Sequence, residues 1–155
     1  MNLPDDLLIR DAVEADVPHI VALILGGPAI ANQHGGLDPN DPAQIETFRL
    51  IDADPRQRLI VVELGGRIVA TLQITYLPYF ASGARWRAQF ESVHVDADLR
   101  GRGIGGHLIR WAIEQARERG AGMVQLTSNK ARMNAHRFYE TLGFSRSHEG
   151  FKLAL

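Results

Sequence analysis

Seven consecutive residues, Arg100-Gly101-Arg102-Gly103-Ile104-Gly105-Gly106, combine four glycines with two arginines just ahead of a segment with helical apolar spacing. Glycine lets a backbone come close to a phosphate. The first amides of a helix have no intrahelical partner, and the helix dipole adds positive potential at the same end. Arginine adds charge-assisted contacts suited to a pyrophosphate or a further phosphate. The chemistry on offer is anion binding; the plain alternative is a flexible turn whose arginines face water.

Two kinds of phosphate binder fit this loop poorly. A P-loop needs Lys and then Ser or Thr after its last glycine, to reach the phosphates and magnesium, and here His107 and Leu108 follow Gly106. Gly101, Gly103 and Gly106 satisfy the dinucleotide pattern GxGxxG. The acid that should end the next strand about 20 residues on is replaced by Gln125, Leu126 and Thr127. The residues from Asp96 to Leu99 also separate the glycines from the preceding strand, whereas a dinucleotide turn follows its strand almost at once.

A strand must deliver the chain to this loop and a helix must leave it. Residues 86–95 alternate well enough to read as a long strand, with Phe90, Ser92 and His94 on one face and Glu91, Val93 and Val95 on the other. Ile104, Leu108, Trp111, Ala112 and Ala116 form the apolar stripe of a helix ending near Gly120. Upstream, 58–64 and 67–76 are strands joined by Gly65-Gly66, a two-residue hairpin turn. Residues 7–9 read as a first strand. Asp16-Val17-Pro18 and Asp41-Pro42 read as capped helix starts, for helices to about Leu25 and Ala53. Residues 26–40 lack periodicity and read as a loop on which function can sit. A short strand at 123–127, a helix at 132–142 closed by Gly143, and terminal strands at 144–147 and 151–155 complete the order β-α-α-β-β-β-α-β-α-β-β. With no internal repeat or linker, residues 1–155 read as a single α/β domain, a mixed sheet with helices on both faces.

Composition narrows the partners. Lys+Arg 17 against Asp+Glu 18 leaves a formal charge of -1, so no overall field holds a nucleic-acid backbone or an anionic membrane, and neither is expected as a partner. Cys 0 removes disulfides, thiolate metal ligands and any cysteine acyl carrier. No uncharged apolar stretch approaches the roughly 20 residues that span a bilayer, and no export leader is apparent, so a cytoplasmic protein is expected.

Arg100-Gly101-Arg102-Gly103-Ile104-Gly105 resembles the acetyl-CoA pyrophosphate loop of the GNAT superfamily of N-acetyltransferases, which reads Gln/Arg-x-x-Gly-x-Gly/Ala. Glu91-Ser92-Val93-His94-Val95 resembles the family's fourth strand, and Phe138-Tyr139-Glu140-Thr141-Leu142-Gly143-Phe144 resembles its closing Tyr-Glu-x-Leu-Gly-Phe signature. The resemblance implies a GNAT-type, mostly antiparallel sheet and direct transfer of an acetyl group from acetyl-CoA, as co-substrate, to a primary amine of a small molecule or peptide. It also implies the site. Glu91 relays the amine's proton. A backbone amide in the segment Val93, His94, Val95 polarises the thioester, and that segment pairs with the pantetheine. The loop from Arg100 to Gly106 takes the pyrophosphate, and Tyr139 protonates the departing sulfur. A base is useful because an alkyl ammonium with a pKa near 10 is only about one part in a thousand free amine at neutral pH, a deficit of roughly 4 kcal/mol.

Many relatives carry Asn seven residues before the tyrosine; here that position is Arg132, flanked by Asn129 and Asn134. Asn129 is the first choice for a coenzyme A contact, and Lys130 and Arg132 either face phosphates or are solvated charges. His94, His107 and His136 lack partners at zinc-site spacing, so no metal is expected. His34, Tyr76 and Tyr79 either line an acceptor pocket or serve packing. A homodimer is expected by family analogy. A coenzyme A sensor without turnover and a nicotinamide oxidoreductase are the competing functions.

Overall fold

The structure is a computed structural model that describes residue 4 and residues 6–26, 37–83 and 85–155. The chain divides into two compact units, Met1–Gln125 and Leu126–Leu155.

The sheet is built on β1 (Leu7–Asp11), β2 (Gln57–Leu64), β3 (Arg67–Pro78), β4 (Trp86–Val95) and β5 (Ala121–Leu126), in spatial order β1-β2-β3-β4-β5, and all of it but Leu126 belongs to the first unit. The first three pairings are antiparallel. The helices of that unit are α1 (Val17–Leu25), α2 (Pro42–Ala53) and α3 (Ile104–Glu118). Gly65 and Gly66 take φ of 56° and 76° in the β2–β3 turn, the left-handed pair that matches the twist of a hairpin.

The sheet is covered on both faces. On one, Val17, Ile20 and Val21 of α1 and Phe48 of α2 form a buried cluster with Val61, and Leu59 and Ile68 pack against it. On the other lie Ile60, Val62, Leu72, Ile74, Tyr76, Ala88 and Phe90, all at or near complete burial. Here α3 sits: Arg58 lies 5.4 Å from the Trp111 ring and donates to Gln115, and Arg119 lies 4.4 Å from the Tyr76 ring. Each large side chain removed from water in this way contributes about 1.5–3 kcal/mol. The central strands β2 and β3 are therefore buried on both sides.

The capping signals resolve differently. Asp41 accepts from the Ala43 N–H at 2.9 Å and caps α2 as expected, with Pro42 in the first turn. Asp16 makes no cap bond to α1. Its carboxylate instead accepts from the Val13 N–H at 2.8 Å, closing the short 3-10 turn Glu14–Asp16, and from Arg10 at 2.6 and 3.1 Å. The strong guanidinium partner decides where the carboxylate turns.

The second unit carries α4 (Met133–Thr141). Gly143, at φ 93°, ends it: Phe144 N–H donates to Tyr139 O at 3.1 Å and Gly143 N–H to Glu140 O at 3.0 Å. Phe144 and Tyr139 also meet edge to face at 5.8 Å. This is the Schellman stop with its apolar clasp, so much of the sequence Tyr139 to Phe144 is helix-ending chemistry. The terminal strands expected at 144–147 and 151–155 do not form. Ser145 to Glu149 is polar throughout and offers no apolar alternation to seat against a sheet. Phe151, Leu153 and Leu155 do alternate, but their side chains are exposed. The fold class stands without those two strands.

Candidate functional site

The strand β4 does not run evenly beside β3. Gln73 faces Glu91 and Thr71 faces His94, so Ser92 and Val93 together oppose Leu72 alone. Ser92 has φ 52°, a left-handed conformation unusual for a residue with a side chain. One extra residue inserted into a ladder is a β-bulge, which bends the strand and leaves backbone groups unpaired. It also reverses the alternation read from the sequence. Beyond the bulge His94 shares the face of Glu91 and Val95 that of Phe90, correcting the expected sets.

Glu91 lies just before the bulge, exposed, and among the described residues its carboxylate has no hydrogen-bond or ion-pair partner. Just after β4, Asp96 caps the short turn Ala97–Leu99 through the Asp98 N–H and holds Arg67 at 2.9 Å. Arg100 reaches back, its Nε donating to Val95 O at 3.2 Å, and among the described residues its two terminal nitrogens have no hydrogen-bond partner. Gly101 and Gly103 take φ of 77° and 85°, turning the chain so that α3 begins at Ile104. The first bond at this end is His107 N–H to Gly103 O, so the amides of Ile104, Gly105 and Gly106 precede it and stay available. Arg102 is exposed beside them. Bulge, turn and helix start thus follow one another along the chain, and the amides that open α3 lack intrahelical acceptors, a geometry suited to an elongated ligand with an anionic end.

A shallow cavity of about 600 Å³ opens next to Arg100, lined by His19, Arg67 and Asp96 among others. Its charged walls are largely self-neutralised by the Arg67–Asp96 pair and by Arg10 held between Asp16 and Glu63.

In the second unit, Asn129 Oδ1 accepts from Ala131 N–H at 2.9 Å, and its amide nitrogen has no hydrogen-bond partner among the described residues. The buried His136 ring meets Asn129 O through Nε2 at 2.8 Å. Arg132 is exposed at the start of α4. Tyr139 is half-buried between Phe138 and Phe144, and among the described residues its hydroxyl has no hydrogen-bond partner. Burial raises its pKa above the usual phenol value, and the Arg132 charge opposes that more weakly.

The pattern of the Acetyltransferase (GNAT) family matches residues 31–144, well over half of the sequence. The chain belongs to this family. As an acyltransferase of the GNAT kind it is 33% identical over 106 residues to the aminoalkylphosphonate N-acetyltransferase of Salmonella typhimurium, covering 68% of this chain and 67% of that one. It is 37% identical over 103 residues to the glucosamine 6-phosphate N-acetyltransferase of Trypanosoma brucei brucei, covering 63% of this chain and 67% of that one. A crystal structure from Bacillus halodurans, described as a transcriptional regulator, superposes on this acetyltransferase with a TM-score of 0.91 and 39% identity, over 96% of this chain and 99% of the other.

Of the acceptor-side candidates, Tyr76 is buried on the α3 face under Arg119, which removes it from any pocket. His34 lies outside the described residues, as does most of the expected loop at 26–40. Tyr79 is partly exposed and stacks with Arg87 at 3.9 Å. Arg87, Gln89 and Gln125 were not singled out by motif. The signal available was period: Arg87, Gln89 and Glu91 share a face, while Ala88 and Phe90 are buried opposite.

Proposed function

We propose that this acyltransferase moves an acetyl group from acetyl-CoA to a primary amine of a small molecule, by direct attack and without a covalent enzyme intermediate. The observation that carries the reading is the bulge at Ser92 and Val93, which lies on β4 between the Glu91 carboxylate, unpartnered among the described residues, and the glycine turn. A thioester beside the bulge meets an interrupted ladder, and its pyrophosphate falls toward the amides at the start of α3.

In the step proposed, Glu91 takes a proton from the ammonium, directly or through water, and the free amine attacks the thioester carbonyl. A backbone N–H of the segment from Val93 to Val95 stabilises the oxyanion. The carbon–sulfur bond then breaks and the thiolate receives a proton. We assign that proton to Tyr139 on the strength of its signature; a phenol held protonated by burial suits a donor. Arg100, Gly101, Arg102, Gly103, Ile104, Gly105 and Gly106 are assigned to the pyrophosphate, and Asn129 and Arg132 to the coenzyme. The family match runs across the boundary at Gln125, which supports reading 1–155 as one N-acetyltransferase domain.

Two named relatives act on an aminoalkylphosphonate and on glucosamine 6-phosphate, both of which are small amines. Calorimetric titration with acetyl-CoA, with NADH and ATP as controls, tests the co-substrate. Micromolar binding of acetyl-CoA alone is expected; binding of NADH instead, or of none of the three, would overturn the reading.

A further inference from the structure

Three described arginines are half-buried: Arg10, Arg58 and Arg87. The first two are neutralised, Arg10 by Asp16 and Glu63, and Arg58 by a two-point contact with Asp11. Arg87 is not. Among the described residues no carboxylate pairs with it, although its guanidinium is held in place by the Tyr79 ring at 3.9 Å and by Nη1 donating to Gln125 Oε1 at 2.7 Å. A partly desolvated guanidinium costs free energy unless an anion answers it, and a fixed planar fork is arranged to receive an oxyanion in two contacts.

Its surroundings extend the argument. Arg87 and Glu91 share one face of β4, four residues or about 13 Å apart along the strand. Between them that face carries neutral polar groups, while Leu77 stands across from Arg87. Gln125 Nε2 donates to Gln89 Oε1 at 2.5 Å, and Gln73 Nε2 donates to Gln57 Oε1 at 2.8 Å, with Gln73 directly across from Glu91 and Thr75 across from Gln89. On the same face the apolar cluster under α1 and α2 begins with Leu59, which pairs with Gln73, and continues through Val61 to Ile68, away from Arg87. The sheet face therefore passes from an acid through amides to a cation.

We infer that this strip selects the acceptor: a small molecule with an amine at one end and an oxyanion, phosphate or carboxylate, at the other, joined by a polar or hydroxylated spacer. The amine lies toward Glu91 and the oxyanion toward Arg87. This rests on the reading of Glu91 as the acceptor-side base and deepens it. The long Arg87 side chain shortens the gap, yet a spacer of several atoms is still required, so α-amino acids are poor fits.

The test pairs ω-aminoalkyl phosphates of three to six methylenes with the matching amino alcohols, and glucosamine 6-phosphate with glucosamine. Acetyl transfer is read as thiol release, and binding to the enzyme without acetyl-CoA by calorimetry. The phosphate member of at least one pair is expected to have the higher kcat/KM by about ten- to a hundredfold, the range for a charge-assisted contact. That ratio should collapse in Arg87→Gln and recover in part in Arg87→Lys, which keeps the charge without the fork. Equal use of both members, or a preference unchanged in Arg87→Gln, overturns the inference. Arg87-dependent binding of a phosphate amine with no thiol release would instead overturn the catalytic reading and leave the anion subsite standing.

Discussion

Arg10 and Asp16 are joined by two hydrogen bonds of 2.6 and 3.1 Å, with the carboxylate buried and the guanidinium about a third exposed. The Arg10 bond, aided by the Val13 N–H, lowers the Asp16 pKa against the opposing effect of burial. A depressed carboxylate stabilises the fold above its unfolded pKa, and that stability is lost as the pH falls. Chemical unfolding should therefore show a loss of stability below about pH 4, and the acid-sensitive part should shrink in Asp16→Asn. At neutral pH the same substitution should cost about 1–3 kcal/mol, since among the described residues it leaves Glu63 as the one carboxylate paired with Arg10.

Ser92 occupies the left-handed region within β4. Ser92→Gly should relieve about 1 kcal/mol of backbone strain, partly offset by a more flexible unfolded chain. Ser92→Val, β-branched at the same φ, should destabilise. Urea midpoints of the two variants test the sign: a stabilised Val variant would mean that the bulge is not held by this residue.

Glu91→Gln removes the proposed base without changing shape. The loss in kcat/KM should be about a hundredfold, and largest at low pH where free amine is scarcest. A loss independent of pH between 6 and 9 would point to a positioning role.

Tyr139→Phe should lower kcat by about a hundredfold while acetyl-CoA affinity changes less than about twofold. Because burial holds the phenol proton on, the wild-type enzyme should lose no activity through this group between pH 7 and about 10. Phe at this position should keep the aromatic clasp with Phe144 and so the end of α4; circular dichroism would report its loss.

Arg100→Ala should act on affinity instead, weakening acetyl-CoA binding by about tenfold with a smaller change in kcat. The variant also gives up the Nε contact to Val95 O, which ties the turn to β4. Equal effects of Arg100→Ala and Tyr139→Phe on affinity would overturn this division of labour.

The hairpin, the β4–loop–α3 sequence and the α2 cap were legible because each rests on local rules: paired glycines, alternation, Asp before Pro. The bulge was not. Nothing in Glu91-Ser92-Val93-His94 marks a residue as doubled, because register is settled between strands, and a single insertion exchanges the faces of everything after it. The misplaced cap at Asp16 has a similar cause, since its deciding partner, Arg10, belongs to another element. The terminal strands failed for want of a ladder, which period alone cannot supply. No motif marks Arg87, because its meaning rests on the absence of a carboxylate beside it among the described residues, a property of space rather than of spacing.

A skipped rung inside a five-stranded sheet has a consequence for exchange with solvent. Most residues of β3 and β4 are paired in ladders and their amides should exchange slowly, but Ser92 and Val93 sit where the ladder is broken. Deuterium uptake by a peptide spanning these residues should be fast in the free enzyme and slow once a bound chain supplies the missing partners. The irregularity in β4 would then serve as a built-in gauge of occupancy, legible without any turnover.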